Sequence, residues 1–223
     1  MIGNIKRYNG MSSGGSFNPD DMFDENNTAT EENFIKLLEH NVYDSKYIGY
    51  KVQLSNSVDY NNGIWVIADV NHDSANTGQT NCYDLISQDC FYSAYNNGTQ
   101  WRNSAYRTWL NNTFYPGFST KFKSRVLNPK YKSQSTWYTD DKIILPSLNE
   151  LNNSSSSSTT EGIAYPIFTN SASRIKYQSG TTRTWWTRTL INNKSYSWYV
   201  SSDGNMSYGS YSYGYLAPIL RVQ

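Results

Sequence analysis

Residues 47–70, YIGYKVQLSNSVDYNNGIWVIADV, decide the fold class. The runs 47–54 and 62–70 are rich in β-branched and aromatic residues. Asn61-Asn62-Gly63 at their junction is a hairpin signal, so the segment predicts two antiparallel strands. Further along, CYDLISQDCFY (82–92) reads as an extended or mixed element. WRNSAYRTWLNNTFYPGF (101–118) predicts a helix starting near Asn103 or Ser104, with Tyr106, Trp109 and Leu110 on one face and Asn-Asn and Pro-Gly ending it. A second helix is expected after Ser119, with Phe122, Val126 and Leu127 inward and Pro129 as its stop. Ile143 to Leu145 reads as a short buried strand, followed by a capping-box spacing from Ser147 to Glu150. The C-terminal third is strand and turn: 182–190, 195–200, an Asp203-Gly204 turn, and a final strand over 215–222. Two helices with an irregular antiparallel β-sheet make an α+β domain spanning 47–223.

Residues 1–46 read as an N-terminal extension. Its Gly/Ser-rich start leads into acidic Asp20, Asp21, Asp24 and Glu25. TATEENFIKLLEHN (28–41) then predicts an amphipathic helix, with Thr28 and Glu31 at capping-box spacing and Phe34, Ile35, Leu37 and Leu38 as the apolar face. That face either packs on the following domain or joins copies of the chain in a homo-oligomer, and one stripe fits both.

Ser (30), Asn (26) and Tyr (20) fill about a third of the 223 positions, while Leu, Ile, Val and Phe together number 42. So few aliphatics would point to disorder if net charge were high. The charge is +1, with 7 Trp and 8 Phe, so an aromatic core is expected. A balance of 19 basic and 18 acidic residues offers no basic field for nucleic acid. The longest apolar run, 63–70, is far short of the roughly 20 residues that cross a bilayer, so no membrane insertion is expected. No signal peptide is visible at the start, so an outward-facing role implies another route, such as lysis within a virus particle. Cys82 and Cys90 are too few for a disulfide framework and read as two buried thiols or one local bridge.

Catalytic fingerprints are missing from the sequence: it has no GxSxG, HExxH, P-loop or dinucleotide motif. The tripeptide His72-Asp73-Ser74 is no triad, because those groups must meet across a fold. No catalytic residue is assigned, and the chain reads as a non-enzyme. Asp69, Asn71 and Asp73 alternate like the first ligands of a calcium loop, but Ser74 stands where the loop needs Gly and Thr80 where it needs Glu. Asx-turns at a strand end fit better, which leaves calcium as the sole cofactor candidate.

The functional signal is concentrated between residues 191 and 215, where Tyr, Ser, Asn and Gly fill 19 of 25 positions. Tyr gives large contact area with only two torsions to freeze, and Ser, Asn and Gly give adaptable hydrogen bonding, the composition of antibody binding loops. The tyrosines at 208, 211, 213 and 215 are too interleaved with Gly and Ser all to be core.

Six segments carry a resemblance: W-V-I-A-D-x-N-H-D-S at 65–74, Y-D-L-I-S at 83–87, W-x-N-S-x-x-R-x-W-L-N-x-T-F-Y at 101–115, D-K-I-x-L-x-S-x-x-E at 141–150, W-W-x-R at 185–188 and P-I-L at 218–220. The chain from about Tyr47 onward resembles the C-type-lectin-fold variable proteins of diversity-generating retroelements, of the formylglycine-generating-enzyme-like subset. The resemblance implies a C-type-lectin-like domain with a variable region over 174–215, where adenine-directed mutagenesis rewrites codons. It implies a receptor-recognition or display protein, phage-encoded and carried on the virion tail or otherwise facing outward, whose partner is a protein or glycan on a host cell surface. Trp186, Arg188 and Trp198 would be scaffold. The ligand-binding face would be Tyr196, Tyr199, Ser201, Asn205, Tyr208, Ser210, Tyr211 and Tyr213, with Asn193 and Asp203 at its rim. Ala217 stands where the family's pattern often has Arg. The alternative reading is a carbohydrate-binding module that stacks sugars on Tyr and Trp.

Overall fold

The computed structural model describes residues 16–58, 63–96, 100–134, 136–153, 161–191, 196–209 and 212–223, with 93–96, 212 and 213 described by backbone alone. Strand β1 (Thr28–Thr30) leads into helix α1 (Glu31–Glu39) and runs parallel to β2 (Lys51–Gln53). β2 pairs antiparallel with β3 (Ile64–Val70), the hairpin expected from 47–70. After the short α2 (Ser74–Thr77) come β4 (Tyr83–Ser87) and β5 (Phe91–Asn96), then α3 (Ala105–Trp109), a π turn over Leu110–Phe114, and α4 (Thr120–Lys123). Short strands β6 (Tyr131–Ser133), β7 (Thr136–Tyr138) and β8 (Ile143–Ile144) follow. The C-terminal third supplies β9 (Lys176–Gln178), β10 (Thr181–Arg183), β11 (Trp185–Leu190), β12 (Ser197–Val200), β13 (Met206–Gly209), β14 (Ser212–Leu216) and β15 (Ile219–Val222).

Two sheets organise the α+β chain. One has the order β1-β2-β3-β4-β15-β8 and the other β13-β12-β11-β14-β5; β6-β7 and β9-β10 are separate two-stranded ribbons. The large sheets are joined by one bent ribbon. β4 pairs with β15 and β5 with β14, and between them both chains turn, at 88–90 and at 217–218. Pro218 explains why the single strand expected over 215–222 is two. It has no N–H to donate to a ladder, so the pairing breaks there, while its carbonyl accepts from Ser87 N at 3.1 Å.

Aromatics fill the core. Trp65, Trp101, Trp185 and Trp186 are fully buried among Phe34, Phe114, Phe122, Tyr83 and Ile/Leu side chains, each worth about 1.5–3 kcal/mol on the transfer scale. Phe34, Ile35, Leu37 and Leu38 of α1 lie in this same core, so the apolar stripe that could have joined two copies faces the chain's own sheet.

Several local expectations are corrected. Within 47–223 three α-helices stand among the described residues rather than two, the addition being the four-residue α2 between Asp73 and Gly78. The N-cap of α1 is Thr30, whose hydroxyl accepts from Asn33 N, and Thr28 is in β1. Glu31 instead accepts from Ser55 N at 2.9 Å and from the Ser119 hydroxyl, tying the helix start to two loops. α4 ends at Lys123, well before Pro129, because Val126 leaves to bridge Val222. Ser147 and Glu150 do exchange reciprocal bonds, Ser147 N to Glu150 Oε2 at 2.9 Å and Glu150 N to Ser147 Oγ at 3.1 Å, but they close a turn and no helix follows.

Buried ion pairs lock the sheets. Arg221 in β15 meets Asp84 in β4 through Nε to Oδ1 at 2.6 Å and Nη2 to Oδ2 at 2.8 Å, and the Tyr165 hydroxyl donates to the same carboxylate at 2.7 Å. Burial alone would raise the Asp84 carboxyl, but the Arg221 charge and these hydrogen bonds hold it below its ordinary 3.8. A carboxyl depressed in the folded state contributes stability that is complete above its unfolded value and lost as pH falls through the folded one. Stability is therefore expected to drop as pH falls below about 3.8, and acid titration of denaturant midpoints should show a shallower drop in Asp84→Asn, on a lower baseline.

Candidate functional site

The β12–β13 hairpin carries most of the described residues of the expected binding face. In its turn, Ser201 N donates to Asn205 O at 2.8 Å and Gly204 N to Ser201 O at 2.9 Å. Asp203 organises the rest, accepting from the Ser201 hydroxyl, from Asn205 N at 3.1 Å and from Asn205 Nδ2 at 2.8 Å. Those bonds, that from Ser201 foremost, hold the exposed Asp203 carboxyl below its ordinary 3.8. Gly204 has φ +80, and its carbonyl accepts from Arg174 Nε at 3.0 Å, which fixes the turn to the body. Ser201, Asp203 and Asn205 therefore spend their polar groups on one another.

The other end of the hairpin is aromatic. Trp198 and Tyr208 sit directly opposite across β12 and β13, with ring centroids 5.3 Å apart at 68°. Tyr196 joins them, 6.4 Å from Tyr208. Tyr208 is 55% exposed, while Trp198 is half-buried with an indole N–H that has no partner among the described residues. Edge-on aromatic pairs of this kind hold their own geometry, which keeps Tyr208 raised from the sheet.

Because side chains alternate along a strand, Tyr199 points to the opposite face. There it pairs with Trp186 of β11, ring to ring at 5.6 Å and 89°, and Trp186 packs against Gly214, where an added Cβ would lie 2.7 Å from its Nε1. The expected face thus divides into an aromatic end (Tyr196, Tyr208), a self-satisfied turn (Ser201, Asp203, Asn205) and a reverse side (Tyr199). Asn193, Ser210 and Tyr211 lie outside the described residues, and Tyr213 is placed by backbone alone, opposite Tyr95. Of the three scaffold positions, Trp186 and Arg188 are buried, and Trp198 is half-buried and packs against the exposed Tyr208.

Arg188 is the centre of the scaffold beneath. Its guanidinium forms a fork with Glu150, Nη1 to Oε2 and Nη2 to Oε1 both at 2.6 Å, and also donates to the carbonyls of Leu145, Lys132 and Glu161.

The calcium candidates are engaged locally. Asp69 accepts from Val70 N and meets His72 Nδ1 at 2.8 Å, Asn71 Oδ1 accepts from Cys82 N, and Asp73 Oδ1 accepts from Asn76 Nδ2 at 2.6 Å. Among the described residues no three His, Cys, Asp or Glu side chains gather as a metal site. The Asp69–His72 contact was missed from the sequence, although its i, i+3 spacing beside a strand end is readable. Cys82 and Cys90 are unbridged, and burial pushes their thiols up to about 11 and about 12, which keeps them protonated. No helix among the described residues is long and apolar enough to cross a membrane.

Comparison with curated proteins and with solved structures returns no match. A family profile does match, over residues 82–223, from β4 through the aromatic hairpin to the last strand. By that match the chain belongs to DUF6273, a domain family of unknown function.

Proposed function

We propose that the chain is a ligand-recognition domain that works without chemistry, with Tyr196, Trp198, Tyr208 and the Tyr/Ser/Asn segments beside them as the contact surface. The observation that carries this reading is the exposed position of Tyr208, 55% open to solvent and braced by Trp198. Rigid aromatic anchors flanked by hydroxyls and amides suit recognition at low entropic cost. The fold-holding groups, Trp186 and Arg188, sit on the neighbouring strand β11 and are buried, so side chains at the aromatic end can change without disturbing them.

That division suits a display protein diversified by a retroelement, with a C-type-lectin-like fold, carried on a phage tail and directed at a protein or glycan on a host cell. In support, the first and last strands share one sheet while the tyrosine-rich hairpin stands in the other. In the source genome, a near-copy of the DNA for residues 174–215, differing at adenines, is expected beside a reverse-transcriptase gene. A complete genome without that copy removes the retroelement part. Tyr208→Ala is expected to leave stability within about 0.5 kcal/mol, as exposed substitutions do, which makes it a clean binding probe. A defined glycan-array hit that this substitution abolishes would assign the surface to sugar stacking instead of protein recognition.

A further inference from the structure

Strand β13 is the outer strand of its sheet, and no further strand lies beside it among the described residues. Which of its main-chain groups face outward follows from the register. Ile191 N donates to Tyr196 O at 3.0 Å and Thr187 Oγ1 to Trp198 O at 2.9 Å, so residues 196 and 198 turn their main chains toward β11. Main-chain direction alternates along a strand, which leaves 197, 199 and 201 to bond the other neighbour, and Ser201 N does donate to Asn205 O at 2.8 Å. Ser197 stands opposite Gly209 and Tyr199 opposite Ser207, so Ser207 and Gly209 turn inward to β12. The N–H and C=O groups of Met206 and Tyr208 therefore point to the open edge. Among the described residues the backbone bonds of turns and loops do not reach these groups either.

Sheet edges are ordinarily guarded by Lys or Pro on the strand, by an inward charge or by a bulge, since an open edge pairs with any strand that arrives. β13 reads Met-Ser-Tyr-Gly, with no charge and no proline, and its pairing with β12 runs without a register shift. Tyr208 lies on the same face as Trp198, directly across from it. A strand added at the edge would set the residue opposite Tyr208 on that face too, extending the aromatic row by one side chain.

We propose that β13 binds an extended, uncharged segment of a partner protein as a further strand of the sheet. The main chains of Met206 and Tyr208 supply the ladder, and an aromatic or β-branched side chain of the segment lies beside Tyr208. An edge of four residues is too short for a lasting joint between two folded copies, which takes roughly 1,200–2,000 Å², but suits a segment of about four to six residues. A sugar stacked on Tyr208 leaves the outward main-chain groups unused. The inference rests on the hairpin being the recognition surface and names its partner.

The probe is a set of peptides of about eight residues, selected from a random displayed library on the full chain. At saturation, amide hydrogen exchange at Met206 and Tyr208 is expected to slow about tenfold or more, while Ser207 and Gly209, already in the β12 ladder, change little. N-methylation of the peptide at alternate residues should cost about tenfold in one register and little in the other. Met206→Pro removes an outward N–H, leaves the β12 ladder its donors, and should weaken binding about tenfold. If its melt shows the hairpin lost, exchange and N-methylation on the parent chain decide. A selection that yields no peptide at this edge, unmoved Met206 and Tyr208 amides, or indifference to N-methylation in both registers would overturn the proposal. So would protection of the same amides on concentrating the chain alone, which would mean that a second copy fills the edge. A ligand whose binding Tyr208→Ala abolishes while the edge amides stay unmoved would overturn strand addition and leave the hairpin a recognition surface. Peptide addition at full affinity in Tyr208→Ala would keep the edge and remove the tyrosine from recognition.

Discussion

Arg188→Leu is expected to destabilise the chain by about 3–5 kcal/mol, the usual result of stripping one partner from a buried ion pair. Leucine would leave the Glu150 carboxylate, 4% exposed, without its cation. It would also leave the carbonyls of Leu145, Lys132 and Glu161 without the donor that joins three separate segments to β11. Marginal folded stability is about 5–15 kcal/mol, so such a loss should bring the urea midpoint down by a large fraction. Arg188→Lys keeps the charge but not the fork and should fall between. Removing both charges, Arg188→Leu with Glu150→Leu, should recover part of the loss, because no buried charge then stands alone. A single-variant loss under about 1 kcal/mol would mean the pair is not the clamp described above.

Gly204→Ala is expected to cost about 2–4 kcal/mol, combining left-handed backbone strain with overpacking. At φ +80 an L side chain is already strained, and its Cβ would sit 1.9 Å from the Ser171 carbonyl oxygen and 3.1 Å from Ile175 Cγ1. Ser171 offers backbone rather than a flexible side-chain end, so the turn itself must move. That would also loosen the Arg174 bond to the Gly204 carbonyl. The loss should appear in thermal melts of Gly204→Ala, whereas Gly209→Ala, whose Cβ would meet Tyr199 at an ordinary 3.5 Å among the described residues, should melt close to the parent.

Local chemistry was readable in advance, and long-range pairing was not. The Ser104 cap of α3, the β2–β3 hairpin, the buried strand near Ile143 and the Asp203-Gly204 turn each follow from residues within a few positions of one another, and each is present. The helix expected over 28–41 forms only over Glu31–Glu39, capped by Thr30 and not Thr28, because Thr28 and Thr30 compete and only the pairing of 28–30 with β2 decides between them. The partition of YLAPILRV between two sheets depends on which strands lie alongside it, 86 and 91 among them, and no local pattern carries that. Neither Asp84–Arg221 nor Glu150–Arg188 has a local spacing signature. The expected binding face rested on composition and a family resemblance, neither of which can tell a tyrosine raised from a sheet, such as Tyr208, from one laid on its reverse side, such as Tyr199.

The central claim is that recognition and folding are carried by different residues of the same C-terminal third. Two libraries on displayed full-length chain test it, one randomising 193, 196, 208, 210, 211 and 213, the other 185, 186, 188 and 204, each read by protease resistance and by selection against an unrelated protein. The account predicts that most members of the first remain protease-resistant and yield new binders, while nearly all members of the second are digested. Equal digestion of both libraries would contradict it, since the tyrosines would then be part of what holds the fold together.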